Sequence, residues 1–107
     1  MKKPALLATV LGLGLFAATP AFAADAKDNW AKSCAMCHGV DGKGKAAAKT
    51  KDYTSAAAQS AVTDEAAFKA IKEGFKPEKG PVMKAFADKL SDDEIKALVA
   101  YVRAFKQ

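Results

Sequence analysis

Thiol and imidazole side chains are scarce in this chain: of 107 residues, two are cysteine and one is histidine. A closed structural zinc site wants four protein ligands, so these residues alone cannot complete a zinc tetrahedron. One histidine also excludes ligation of a single metal by two imidazoles within the chain. Strand signals are missing as well. No sustained apolar–polar alternation occurs and β-branched residues rarely cluster, which points to an all-α fold. There is no internal repeat. Basic and aromatic residues do not interleave, so nothing suggests stacking on nucleic-acid bases. The one long apolar run, Ala5 to Ala18, is short for a membrane span of about 20 residues, and Pro20 interrupts its end.

That run reads instead as the centre of an export signal. Lys2 and Lys3 precede it, and Ala21-Phe22-Ala23 places small residues at the two positions a signal peptidase reads. Cleavage is expected between Ala23 and Ala24, making residues 1–23 a secretory signal peptide and residues 24–107 a single domain. The expected mature protein is soluble and periplasmic, with no membrane insertion, in a compartment where thiols can be oxidised. It keeps 84 residues and a formal charge of +3, because Lys2 and Lys3 leave with the signal. A domain of that size buries a modest core, and a large apolar cofactor at its centre would serve as a staple.

Cys34-Ala35-Met36-Cys37-His38 gathers both cysteines and the histidine into five consecutive residues. Two thiols at this spacing can add across the two vinyl groups of one porphyrin, and the following imidazole then meets the iron. Cys-x-x-Cys-His is the attachment signature of haem c, with Cys34 and Cys37 as thioether donors and His38 as proximal iron ligand. No second copy exists, so one haem is the limit. A redox-active dithiol is the competing reading, although it belongs near a βαβ pattern. A plain disulfide would give the adjacent histidine no purpose.

Three helices are expected around this motif. The first runs from about Asp25 to Ser33 and leads into it, with Ala26, Trp30 and Ala31 on one side. The second opens at Thr63 as N-cap, turns Phe68 and Ile71 inward and stops at Gly74. The third starts with the capping box Ser91-Asp92-Asp93-Glu94, and Ile95, Leu98, Val99, Val102 and Phe105 then repeat at helical spacing. The alanine-rich pieces at residues 46–48 and 56–58 read equally as helical turns or as loop.

A second axial ligand follows by elimination. Met1 leaves with the signal, and Met36 lies inside the attachment loop on the proximal side. Met83 remains, behind Gly80-Pro81-Val82, where the fixed φ of Pro81 suits a rigid loop. The alternative for Met83 is ordinary core filling, the usual use of methionine. A thioether ligand raises the reduction potential relative to two imidazoles.

Taken together, residues 34–44, then Gly80-Pro81-Val82-Met83-Lys84-Ala85-Phe86, then Leu90 to Val102 resemble a small class I cytochrome c of the bacterial periplasm, of the c5 or c6 kind. The resemblance implies three to four short helices wrapped around one covalent haem, with the N- and C-terminal helices crossing near its edge. It implies that Trp30 packs against Leu98 and Tyr101. Residues 44–62 depart from the family by being rich in lysine and alanine, and Tyr53, their only aromatic, is the candidate there for a propionate contact. The function expected is single-electron transport without catalysis, by a monomer. Lys43, Lys45, Lys49 and Lys51, with Lys76, Lys79 and Lys84, would form a docking patch for acidic redox proteins, or would simply solvate a small domain. The rival function is a haem protein with an open or labile distal site, acting as a gas sensor or in a peroxidase-like way. Such a site wants distal acid–base groups, and no arginine lies near Met83 in the sequence.

Overall fold

The computed structural model describes residues 21–107, so all but the last three residues of the expected signal peptide lie outside the described residues. Helix α1 (Ala21–Asn29) continues through a π-helical turn at Trp30–Cys34 into the short α2 (Ala35–His38). The first helix therefore begins ahead of Asp25 and runs through the Cys/His motif without a break. Alanine, the strongest helix former, occupies positions 21, 23, 24 and 26 and accounts for the earlier start. In the wide turn the Ala35 N–H donates to the Trp30 carbonyl, an i→i+5 bond, and both Trp30 and Cys34 are buried. Gly39 stops the helix at φ +83, backbone that glycine adopts without a Cβ penalty.

Both alanine-rich pieces prove to be helical. Residues Ala46–Ala48 form one 3₁₀ turn, and α3 (Ala56–Ser60) is capped by the Ser55 side chain, which accepts from the Ala58 N–H. Helix α4 (Asp64–Glu73) keeps its expected limits: Thr63 Oγ1 accepts from the Ala66 N–H at 3.0 Å, and Gly74 follows the last turn. Helix α5 (Asp92–Arg103) carries the full capping box, with Glu94 N–H to Ser91 Oγ at 3.1 Å and Ser91 N–H to Glu94 Oε1 at 2.9 Å. Two orphan donors of the first turn are thus satisfied locally.

Helices α1 and α5 pack against each other, and α4 packs on α5. Ala26, Trp30, Cys34 and Ala35 meet Ile95, Leu98 and Val99 in one core that also takes in Ile71 and Phe86. Ile95 and Leu98 are completely buried; each such side chain contributes about 1.5–3 kcal/mol of transfer free energy. Phe68 is half-buried against the same core. No strand occurs among the described residues. The one pairing of extended backbone is an antiparallel bridge in which Phe75 and Met83 exchange N–H···O bonds of 2.8 and 2.9 Å. Among the described residues no helix is long and apolar enough to cross a membrane.

Candidate functional site

The π turn, α4, α5 and the bridge at Met83 surround a cleft of about 640 Å³, its open mouth included. Its walls are largely apolar, with Trp30, Ile71, Leu98, Val99 and Val102 among them. Ligand sites have this character: an apolar wall with a few placed polar groups.

Those polar groups include three of the four residues singled out by sequence. Cys34, His38 and Met83 all line the cleft. Cys37 does not line it and is exposed, while Met36 is 79 % exposed and takes no part in the lining. The His38 ring stands 5.7 Å from the Trp30 ring and 6.2 Å from the Tyr53 ring, centroid to centroid. Its Nδ1 is buried without a hydrogen-bond partner. Burial lowers the His38 pKa below its ordinary value, which favours the neutral imidazole that a metal requires. Met83 is half-buried, and its backbone is fixed from both sides by the bridge to Phe75.

Cys34 does not suit thiol exchange. Burial, and then the neighbouring Cys37, push the Cys34 thiol up to about 11. A reactive dithiol needs the opposite, a thiolate stabilised near neutral pH. Among the described residues no group of three or more His, Cys, Asp or Glu side chains is placed to hold a bare metal ion. An apolar slot carrying an unpartnered imidazole nitrogen, a thiol and a thioether instead fits a flat metalloporphyrin, whose ring supplies the remaining ligands.

Residues 21–102 match the sequence model of the family described as cytochrome c oxidase, cbb3-type, subunit III. The chain is also 37% identical over 97 residues to cytochrome c-553 of Helicobacter pylori strain ATCC 700392 / 26695, covering 91% of this chain and 96% of that protein. The chain belongs to this family of c-type cytochromes. Haem c, with its iron, is its cofactor, and electron transport its role. The cytochrome c-553 of Helicobacter pylori strain J99 is 36% identical over the same length. Among solved structures, the KustC0563 c-type cytochrome superposes with a TM-score of 0.67 at 34% identity, spanning 77% of this chain and 98% of that one. A point variant of the same protein gives 0.65 at 35% identity.

The all-α fold expected for this cytochrome is the fold found, and Trp30 sits where the resemblance puts it. Its ring lies 5.8 Å from Tyr101 and 5.1 Å from Phe105, and Leu98 shares the cleft wall. Trp30 also does something spacing does not reveal: Nε1 donates to the Gly39 carbonyl at 2.9 Å, tying the backbone just after His38 to the π turn. Thr50 adds a second tie. Its hydroxyl donates to the Cys37 carbonyl and accepts from the Lys45 N–H at 2.8 Å, while the Gly44 N–H donates to the His38 carbonyl at 2.8 Å.

Three residues escaped the sequence reading of the cytochrome. Thr50 and Gln59 sit in a stretch of bland composition, with no local signal. Arg103 is by sequence an ordinary basic residue in the last turn of α5. It lines the same cleft as Met83, which its place in the sequence does not reveal. Tyr53 lines the cleft too; burial raises its pKa, and nearby Arg103 partly offsets the rise.

Proposed function

We propose that this cytochrome is a soluble periplasmic single-electron carrier, and not an enzyme. It holds one haem through thioethers from Cys34 and Cys37, with His38 and Met83 as axial iron ligands. One observation carries the ligand set: His38 and Met83, far apart in sequence, line a single apolar cleft with Cys34. Bound haem supplies a one-electron ferrous–ferric couple. The chain's own residues do the rest. Trp30, Leu98 and Val99 exclude water from the cleft, which strengthens charge interactions inside it. The ties from Trp30 and Thr50 keep the motif backbone from moving, and the Phe75 bridge does the same for Met83. Ligands that stay fixed in both oxidation states favour rapid electron exchange. The export signal at residues 1–23, with its apolar run and Ala21-Phe22-Ala23, supports the periplasm as location.

The partners we assign are redox proteins with acidic docking surfaces, met by a monomer. Lys43, Lys45, Lys49, Lys51, Lys76, Lys79 and Lys84 are all exposed. The stem of Lys49 lies 3.6 Å from where a Cβ on Gly80 would stand, so the two lysine-bearing loops adjoin. Met36 within the attachment motif and Val40 just after it, with Phe75 across the bridge from Met83 and Val82 beside it, are exposed apolar side chains in or next to the same segments. Apolar contacts within a basic rim favour brief, steered encounters.

Absorption spectra of the purified protein in both oxidation states, repeated on Met83→Ala, test the ligand set. Wild type is expected to be low-spin and slow to bind carbon monoxide, and the variant high-spin and quick. Prompt binding by the wild type would move the reading to an open-site sensor. Absence of tetrapyrrole mass on the Cys34–His38 peptide would end it. The rate of electron transfer to an acidic partner is expected to fall as salt rises; a salt-independent rate removes the docking patch.

A further inference from the structure

The cleft has one charged end, where α5 finishes. Arg103 is the only side chain of its lining that carries a permanent charge. The guanidinium is clamped. Nε donates to Asp64 Oδ1 at 2.8 Å, Nη1 to the Gln59 carbonyl at 2.6 Å and Gln59 Oε1 at 2.9 Å, and Nη2 to the Val62 carbonyl at 2.6 Å. Gln59 is itself only 6% exposed, and its Nε2 donates to the carbonyls of Tyr53 at 2.6 Å and Val102 at 2.8 Å. The Gln107 N–H closes the same corner on the Thr54 carbonyl at 3.0 Å. Helix α5, α3 and the loop at Tyr53 thus hold one guanidinium in place.

This clamp leaves something over. A guanidinium has five N–H donors, and four are used, leaving one on Nη2. The partner Asp64 is 72% exposed, so water screens its charge and the ion pair is weak. A positive charge and a spare donor therefore remain at one end of an otherwise apolar slot. Tyr53 brings a hydroxyl to the same lining.

We propose that Arg103, held by Gln59 and accompanied by Tyr53, anchors a propionate carboxylate of the haem. The proposal rests on the haem reading above. Haem has an apolar ring with two carboxylates at one edge, and carboxylates are worth most beside a preorganised arginine. The clamp on Arg103 is made by the chain's own residues, so little side-chain freedom is lost on contact. Arg103 then sets which edge of the ring enters this end, keeps the carboxylate ionised and partly cancels its charge near the iron. The titratable and charged groups around it are Asp64 from α4, Tyr53 from the loop before α3, Lys106 beyond α5 and His38 of the same lining.

The test is the midpoint potential of the holoprotein against pH, from about 5 to about 8, where a released carboxylate would titrate. Wild type should be flat. Arg103→Gln should start lower at neutral pH and gain a potential that falls as pH rises, because an ionising carboxylate stabilises ferric iron. Arg103→Lys keeps the charge and should stay flat. Asp64→Asn loses the surface ion pair and should leave the profile unchanged. An Arg103→Gln profile that overlays the wild type overturns the proposal and leaves Arg103 a structural clamp. Should Arg103→Gln fail to accumulate, a crystal structure of wild-type holoprotein decides. A carboxylate oxygen within hydrogen-bond distance of Nη2 supports the anchor; both carboxylates elsewhere refute it. Failure of the haem reading itself would look different, as wild-type protein without haem absorbance.

Discussion

Replacing Gly42 by alanine should damage this small cytochrome far more than one methyl group suggests. Gly42 has φ +74, and a Cβ there would stand 2.5 Å from Phe105 Cδ2, 2.7 Å from Cγ and 2.8 Å from Cε2. The ring packs against two others, so moving it aside gives up those contacts. It is held 5.1 Å from the Trp30 ring and meets Tyr101 edge-on at 5.2 Å. The glycine backbone is pinned as well, since its carbonyl accepts from the Tyr53 N–H at 2.8 Å and its N–H donates to the Gly39 carbonyl at 3.2 Å. Left-handed backbone costs an L-residue about 1–2 kcal/mol, and overpacking a filled site costs about 1–3 kcal/mol. The sum, about 2–5 kcal/mol, is a large share of the 5–15 kcal/mol typical of a domain. At about 4–8 °C per kcal/mol for a chain of this size, the midpoint should drop by at least about 8 °C. Thermal unfolding of the holoprotein, followed by far-ultraviolet circular dichroism, measures it. The double variant Gly42→Ala/Phe105→Leu should relieve the clash with the ring and keep the backbone cost, so the two changes should be non-additive. A Gly42→Ala protein within about 0.5 kcal/mol of wild type, the range of a neutral surface change, would refute the reasoning.

Two further outcomes are expected. Trp30→Phe keeps an aromatic ring in the core but removes the bond to the buried Gly39 carbonyl. That carbonyl still accepts from Gly42, so urea unfolding should show a loss of about 1–2 kcal/mol; no loss would mean the tie contributes nothing. Ser91→Ala removes the N-cap of α5 and should cost about 1 kcal/mol. Bonds from Ser91 hold Glu94 below its ordinary value of 4.5. A depressed carboxylate contributes stability above that value and loses it as pH falls through the folded-state value. The first of those bonds comes from the Ser91 backbone N–H, which Ser91→Ala keeps, so Glu94→Gln is the variant in which acid unfolding on the low side of pH 4.5 should be shallower than in wild type.

Local chemistry was legible along the chain. The N-caps at Thr63 and Ser91 act within four residues, and Gly74 stops α4 for reasons of its own backbone. The apolar spacing from Ile95 to Phe105 marks a helix face wherever that helix docks. The Cys-x-x-Cys-His motif is equally self-contained, because its two thiols and imidazole fall within five residues. Other features needed partners far along the chain. The π turn is one: nothing in Trp30-Ala31-Lys32-Ser33-Cys34 announces an i→i+5 bond, and packing Trp30 against α5 accompanies it. Gln59 is another, a polar residue in an alanine-rich stretch whose bonds reach Val102 and Arg103.

What the residues alone determined is thus the short-range part: two thiols and an imidazole gathered at Cys34, Cys37 and His38, and the helix ends, with the proposed roles of these residues and of Met83 toward haem read from residue type and spacing. Only the tertiary structure decided which of these share a cavity, that Cys34 is buried while Cys37 is exposed, and that Arg103 supplies the lone cation of the lining. The division is physical. Caps and motifs act over a turn of backbone, whereas a cleft is made by surfaces that meet only after the chain has folded back on itself.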